Sequence, residues 1–243
     1  TSRLVGSEMC IRDRFNLTSD SSDVMTINGT VTKTFLSLCL VVISGYYSWI
    51  NISITNVLIL PAIFVALILG GVTIYKKHLS PITVPIYAVI QGIFLGAISY
   101  TFNSLYDGIV ITAISYTLSI LFVMLTLYRT GIIKPTENFK LGVAAGTGGI
   151  ALIYLANFVM SFFGTGLSIM DINNASMYSI GFSLLVIVMA SLNLVVDFDF
   201  IEEGSEKRAP KYMEWYGAFG LLVTLIWLYL EILRLLAKMN SRK

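Results

Sequence analysis

Seven long apolar runs follow one another along this chain, each ended by a short polar break. They lie at about 34–50, 57–75, 82–102, 109–128, 141–163, 177–196 and 216–237. Each approaches the roughly 20 residues with which a helix crosses a bilayer, and the short breaks make neighbours antiparallel. The pattern predicts an all-α polytopic membrane protein, a bundle of seven transmembrane helices with no soluble module. Pro61, Pro81 and Pro85 stand where helices start or kink. Gly92 with Gly96, and Gly142 with Gly146, have the small-xxx-small spacing that lets helices approach closely in lipid. Tyr46, Tyr47 and Trp49, and later Trp215 and Tyr216, suit the bilayer interface.

Composition agrees. Only 12% of the 243 residues are charged and 56% are hydrophobic, with mean hydropathy +0.81, whereas soluble domains carry about 25% charge. A net charge of +2, with no basic aromatic patch, gives no reason to expect nucleic acid. Two cysteines and one histidine, His78, are too few for a disulfide framework, a zinc site or a serine–histidine triad. An enzyme is not expected, nor a cofactor.

Charge also orients the loops. Lys76 and Lys77 follow the second run, Arg129, Lys134 and Lys140 the fourth, and Lys207, Arg208 and Lys211 the sixth; the alternate breaks, 51–56, 103–108 and 164–176, hold no Lys or Arg. By the positive-inside rule the N-terminus and loops 76–81, 129–140 and 197–211 are cytoplasmic. Seven crossings then place Lys238, Arg242 and Lys243 outside, so the last helix either crosses against the rule or is partial. Residues 4–14, LVGSEMCIRDR, resemble the in-frame translation of a sequencing-library adapter. Residues 1–14 are therefore set aside as an artefact, 15–24 are expected to be a disordered tail, and 25–240 form the transmembrane domain.

The candidate chemistry is a handful of polar positions in apolar surroundings: Gln91, Asn157, Asn193, Asp197, Asp199 and Glu231. An acid in or near lipid is costly unless neutralised, paired or hydrated. Asn193 and Asp197, four apart, share a helix face; Asp199 points elsewhere; Glu231 and Arg234, three apart, have salt-bridge spacing. One reading is structural: the aspartates end the sixth helix at the interface, and Glu231 pairs with Arg234 at the far one. The other is an acidic path for cations or protons. Carboxylates bind hard cations such as calcium through oxygen, and two sharing a site cannot both ionise cheaply, which makes the site pH-sensitive.

MTINGTVTKTF at 25–35, FDFIEEG at 198–204 and APKYMEWYGAFGLLVTLIWLYLEILRLL at 209–236 resemble the Bax inhibitor-1 (transmembrane Bax inhibitor motif) family, in its bacterial branch with YccA-like and YetJ-like members. The resemblance implies a seven-helix bundle with the last helix near its centre, a bacterial inner-membrane location, and a pH-sensitive calcium leak. It places Asp197 at the acid of helix six and Glu231, in Leu228-Tyr229-Leu230-Glu231, at the acid of helix seven. These two are the implied calcium-contacting pair, with Asp199 and Asn193 beside the ion path. YccA-like relatives suggest the alternative of a regulator that binds another membrane protein, such as a membrane-anchored protease. An aspartyl intramembrane protease is disfavoured because its Gly-x-Gly-Asp signature is absent. The chain departs from the family in several places. Glu replaces Asp in helix seven, Phe198-Asp199 replaces Thr-Gln, Gln91-Gly92 replaces a Glu-Gly step, and helix two has no Arg. The 34 residues between the two acids exceed the family's mid-twenties. Regular helices put the acids about 16 Å apart along the axis, unless a flat interhelical segment closes the gap.

Overall fold

The computed structural model describes residues 23–172 and 174–242. Its helices are α1 (Ile27–Ile50), α2 (Ile52–Tyr75), α3 (Ser80–Leu105), α4 (Ile109–Arg129), α5 (Glu137–Phe162), α6 (Met177–Glu206) and α7 (Met213–Asn240), with 3-10 turns at Lys77–Leu79 and Ser168–Met170. All seven are long and apolar enough to cross a membrane. The artefact assigned to 1–14 lies outside the described residues, as does most of the expected tail; its last two residues, Asp23 and Val24, are paired with the link before α7.

Several helices extend past their apolar runs, because polar residues cap them. Thr26, Thr136 and Ser176 accept hydrogen bonds from Gly29 N, Phe139 N and Ser179 N, each satisfying an otherwise unpaired first-turn donor. The largest extension corrects the expected loop at 197–211. The sixth helix does not stop near Val196 but continues to Glu206, so Asp197 and Asp199 are helical. The extra turns can carry charge because partners meet it: Lys140 pairs with Asp199 at 2.6 Å, and Tyr128 donates to Glu202.

Helix α7 is the axis of the bundle and packs against α1, α3, α4 and α6. Ala218, Leu222, Leu228, Leu233 and Ala237 on it are fully buried. Lipid tails are as apolar as leucine, so close packing rather than water exclusion holds such helices together. The tightest pair is α1–α3. A Cβ on Gly92 would lie 1.9 Å from Ser44 Oγ and 2.5 Å from the Val41 carbonyl, and one on Gly96 would lie 2.2 Å from the Gly45 carbonyl. Ser48 Oγ uses this approach to donate to the Ile93 carbonyl across the helices at 2.8 Å.

The Lys- and Arg-bearing links gather at one end. Ser80 Oγ donates to the Tyr212 carbonyl and Lys77 lies over the Tyr216 ring, joining link 76–79 to the start of α7. Lys140 and Tyr128 meet the end of α6. The opposite end carries the breaks without Lys or Arg, and Lys238 is found there, bonded to Ile169 and to the first turns of α6. Helix α7 is therefore a full crossing of 28 residues and not a re-entrant piece.

The polar seam between α6 and α7

Helices α6 and α7 run antiparallel in a register set by small residues. Gly217 faces Ile201, Gly220 faces Asp197 at a Cβ-position distance of 3.1 Å, and Lys238 faces Ser183 and Ser179. Asp197 is half-buried against α7, where its Oδ2 accepts from Thr224 Oγ1 at 2.6 Å. Thr224 and Glu231 are seven residues apart, two turns, so they lie on one face of α7 and about 10 Å apart along it. That replaces the expected offset of about 16 Å. The link 207–212 uses residues to cross between helices without climbing the axis, which lowers Glu231 towards Asp197. The acids still do not touch.

Glu231 is 1% exposed. Its Oε2 accepts from Tyr154 OH at 2.7 Å and from Arg234 Nη1 at 2.6 Å. Arg234 Nη1 also donates to Tyr154 OH at 3.1 Å, and its guanidinium lies 5.4 Å from the Tyr154 ring centroid. Glutamate, arginine and tyrosine thus form a closed triangle, and the arginine supplies the charge that offsets the cost of burying a carboxylate. Glu231 Oε1 is buried with no hydrogen-bond partner, an open acceptor inside the bundle. The expected Glu231–Arg234 pair is therefore present, with Glu231 buried inside the bundle and Arg234 half-buried.

The other candidates fall elsewhere. Asn193 does not hydrogen-bond Asp197, although they share a face; its Nδ2 donates to Thr147 Oγ1 at 2.7 Å and to the Met189 carbonyl at 2.9 Å, tying α6 to α5. Asp199 faces away from the seam to Lys140, which also lies 3.4 Å from Glu137 and 3.8 Å from Glu203. Asn157 Oδ1 accepts from Leu167 N at 2.8 Å and holds the link after α5. Gln91 is half-buried in α3. Among the described residues, no three His, Cys, Asp or Glu side chains gather as a metal cage. Any cation at Asp197 or Glu231 would keep most of its ligands as water or backbone oxygen.

Both ends of the seam are closed, by residues that sequence reading passed over. At the Lys/Arg-rich end the segment before α1 lies across it as a strap. Val24 bridges Pro210, Met25 N donates to the Ala209 carbonyl at 2.7 Å, and Lys211 N donates to the Asp23 carbonyl at 2.9 Å. Met25, 1% exposed, fills the space left by Gly204 and Gly217, about two turns from Asp197. Fully buried Glu214 locks the strap. It accepts from Thr26 N and Oγ1, both at 2.9 Å, and pairs with Lys33. Gly29 makes room, since a Cβ there would lie 2.2 Å from Glu214 Oε1. At the opposite end Lys238, fully buried, donates to the Ile169 carbonyl at 2.9 Å, the Ser179 carbonyl at 3.3 Å and Ser183 Oγ at 3.0 Å.

A seven-span α-helical bundle with a central last helix, with Asp197 of α6 bonded to α7 and Glu231 of α7 bonded to α5, is an integral membrane protein built around a polar core. A family profile described as Bax inhibitor 1 like matches residues 7–241, and the chain belongs to that family. Comparison with curated proteins finds no match. The two stretches that carried much of the resemblance, 25–35 and 209–236, meet in the structure: Thr26, Gly29 and Lys33 of one enclose Glu214 of the other.

Proposed function

We propose that the protein is a pH-sensitive calcium leak of a bacterial inner membrane, with its N-terminus cytoplasmic and its path along the α6–α7 seam. The observation that carries this reading is the pair of acids on one face of α7, at Thr224 and at Glu231, with a buried carboxylate oxygen left without a partner. Asp197 is the inner station, Glu231 the outer one, and Asp199 with its Lys140 belongs to the cytoplasmic mouth. Ionised carboxylates draw a hard divalent cation, protonated ones do not, so flux falls as pH falls. The strap at Met25 and the caged Lys238 make the described conformation the closed one. No residue is assigned a catalytic role.

A second reading, a regulator that binds another membrane protein, draws support from α5. A Cβ added to Gly142, Gly148 or Gly149 would meet nothing within 4 Å, and Leu141 and Leu152 are about 70% exposed, a surface on which a foreign helix can pack. Vesicles loaded with a calcium dye separate the two. Asp197→Asn, which keeps size and hydrogen bonding, is expected to reconstitute as folded protein with flux reduced at least tenfold and its pH dependence flattened. Wild-type flux and pH response in that variant would move the assignment to the regulator.

A further inference from the structure

A crevice of about 480 Å³ opens sideways from the bundle on the side away from α5. Its floor is α3 and α7, through Leu95, Gly96, Ser99, Leu225 and Tyr229; its rims are α1 and α4, which hardly touch each other. It lies in the half of the span away from the Lys/Arg-rich links, since it reaches Trp49 near the end of α1 and Val110 near the start of α4.

We propose that this crevice holds one acyl chain of a membrane phospholipid. Chemistry disfavours a polar ligand. The lining is almost wholly apolar; among its hydroxyls Ser99 Oγ and Tyr229 OH are bonded to each other at 2.7 Å and Thr117 Oγ1 donates to the Ala113 carbonyl at 2.8 Å. Apolar cavities of this kind also stay free of water. Shape suits a chain. Along α1 the crevice runs from Leu38 to Trp49, eleven residues or about 16 Å, and over that length it has room for a single methylene chain in contact with both rims. The length equals about half of a 30 Å hydrocarbon core, the depth one leaflet's chain reaches. Trp49 and the exposed Tyr46 stand at the mouth, where aromatic side chains meet headgroups. The adjoining breaks 51–56 and 103–108 contain no Lys or Arg, so the chain and not headgroup charge is what the site selects.

The test uses the full chain with Trp215→Phe and Trp227→Phe, leaving Trp49 as the only tryptophan, in bilayers of phosphatidylcholine brominated on its chains. A reference protein carries Trp49→Phe and Val123→Trp instead, at an exposed position of α4 outside the crevice. Bromine is expected to quench Trp49 at least twofold more than Trp at 123, and native mass spectrometry is expected to find one phospholipid per chain after detergent purification. Ile114→Phe with Leu118→Phe, both at the exposed rim, should abolish the retained lipid and bring Trp49 quenching to the reference level. Equal quenching at the two positions with no retained lipid overturns the proposal. So does a dimer of this chain whose contact is lost in the rim variant. If the rim variant fails to fold, the comparison of Trp49 with the reference decides. None of these readouts depends on calcium flux.

Discussion

Helices α3 and α5 carry the same small-residue spacing and are held in opposite ways. In α3, Gly92 and Gly96 are filled by the backbone of α1, so close that neither position has room for a methyl group. In α5, Gly142 meets nothing, and Gly146 meets only the flexible end of Met189. Besides the buried Val143 and Ile150, α5 is tied to α6 and α7 by a ladder of polar clasps: Lys140 to Asp199, Thr147 to Asn193, and Tyr154 to Glu231 and Arg234. Packing of the first kind fails all at once, because a shifted backbone has no alternative fit. Clasps of the second kind open one at a time at modest cost each. The contrast predicts that α1, α3 and α7 hold together more firmly than α5 holds to the polar seam.

Substitutions that attack the closely packed side should have the largest effect. Gly96→Leu drives a side chain into the Gly45 carbonyl, and overpacking of this sort costs about 3 kcal/mol or more; a thermal melt in detergent should show loss of folded protein. Glu214→Ala comes next. It leaves Lys33 without its carboxylate and releases the strap, which is expected to cost about 3 kcal/mol and, by opening the Lys/Arg-rich end of the seam, to raise the proposed calcium flux in whatever protein folds. Tyr154→Phe opens the uppermost clasp of α5. It removes two hydrogen bonds to charged groups, to Glu231 and from Arg234, together worth about 2 kcal/mol, so the melting temperature should fall modestly while flux and its pH response change several-fold. Gly148→Ala is the smallest: its methyl enters open space, and the melting temperature should stay the same or rise slightly, in line with helix propensity. A large loss of stability from Gly148→Ala, or a small one from Gly96→Leu, would erase the contrast between the two helices.

The count and type of helices could be read from the seven runs because twenty apolar residues admit few other structures in lipid. The helix ends could not, because caps such as Thr26 and partners such as Lys140 decide how far a helix runs beyond its apolar stretch. Asp197 and Glu231 stood out as charges in apolar sequence, yet their neighbours did not. Tyr154 sits in an ordinary apolar run, and nothing local marks it as a partner of a residue 77 positions away. Thr224 was within reach, since it lies two turns before Glu231 on one helix face. Lys238 passed for a tail charge and Glu214 did not stand out; both are fully buried, and only the tertiary fold shows why.

The central claim is that Asp197 and Glu231 serve one path although they do not touch. A double-mutant cycle on calcium flux in proteoliposomes, using Asp197→Asn, Glu231→Gln and both together, tests it directly. On a single path, either substitution removes a required station, so the double variant should be no slower than the slower single variant, and all three should lose the pH response. If instead the two losses multiply, or if either single variant conducts like the wild type, the acids do not share a path and the account is wrong.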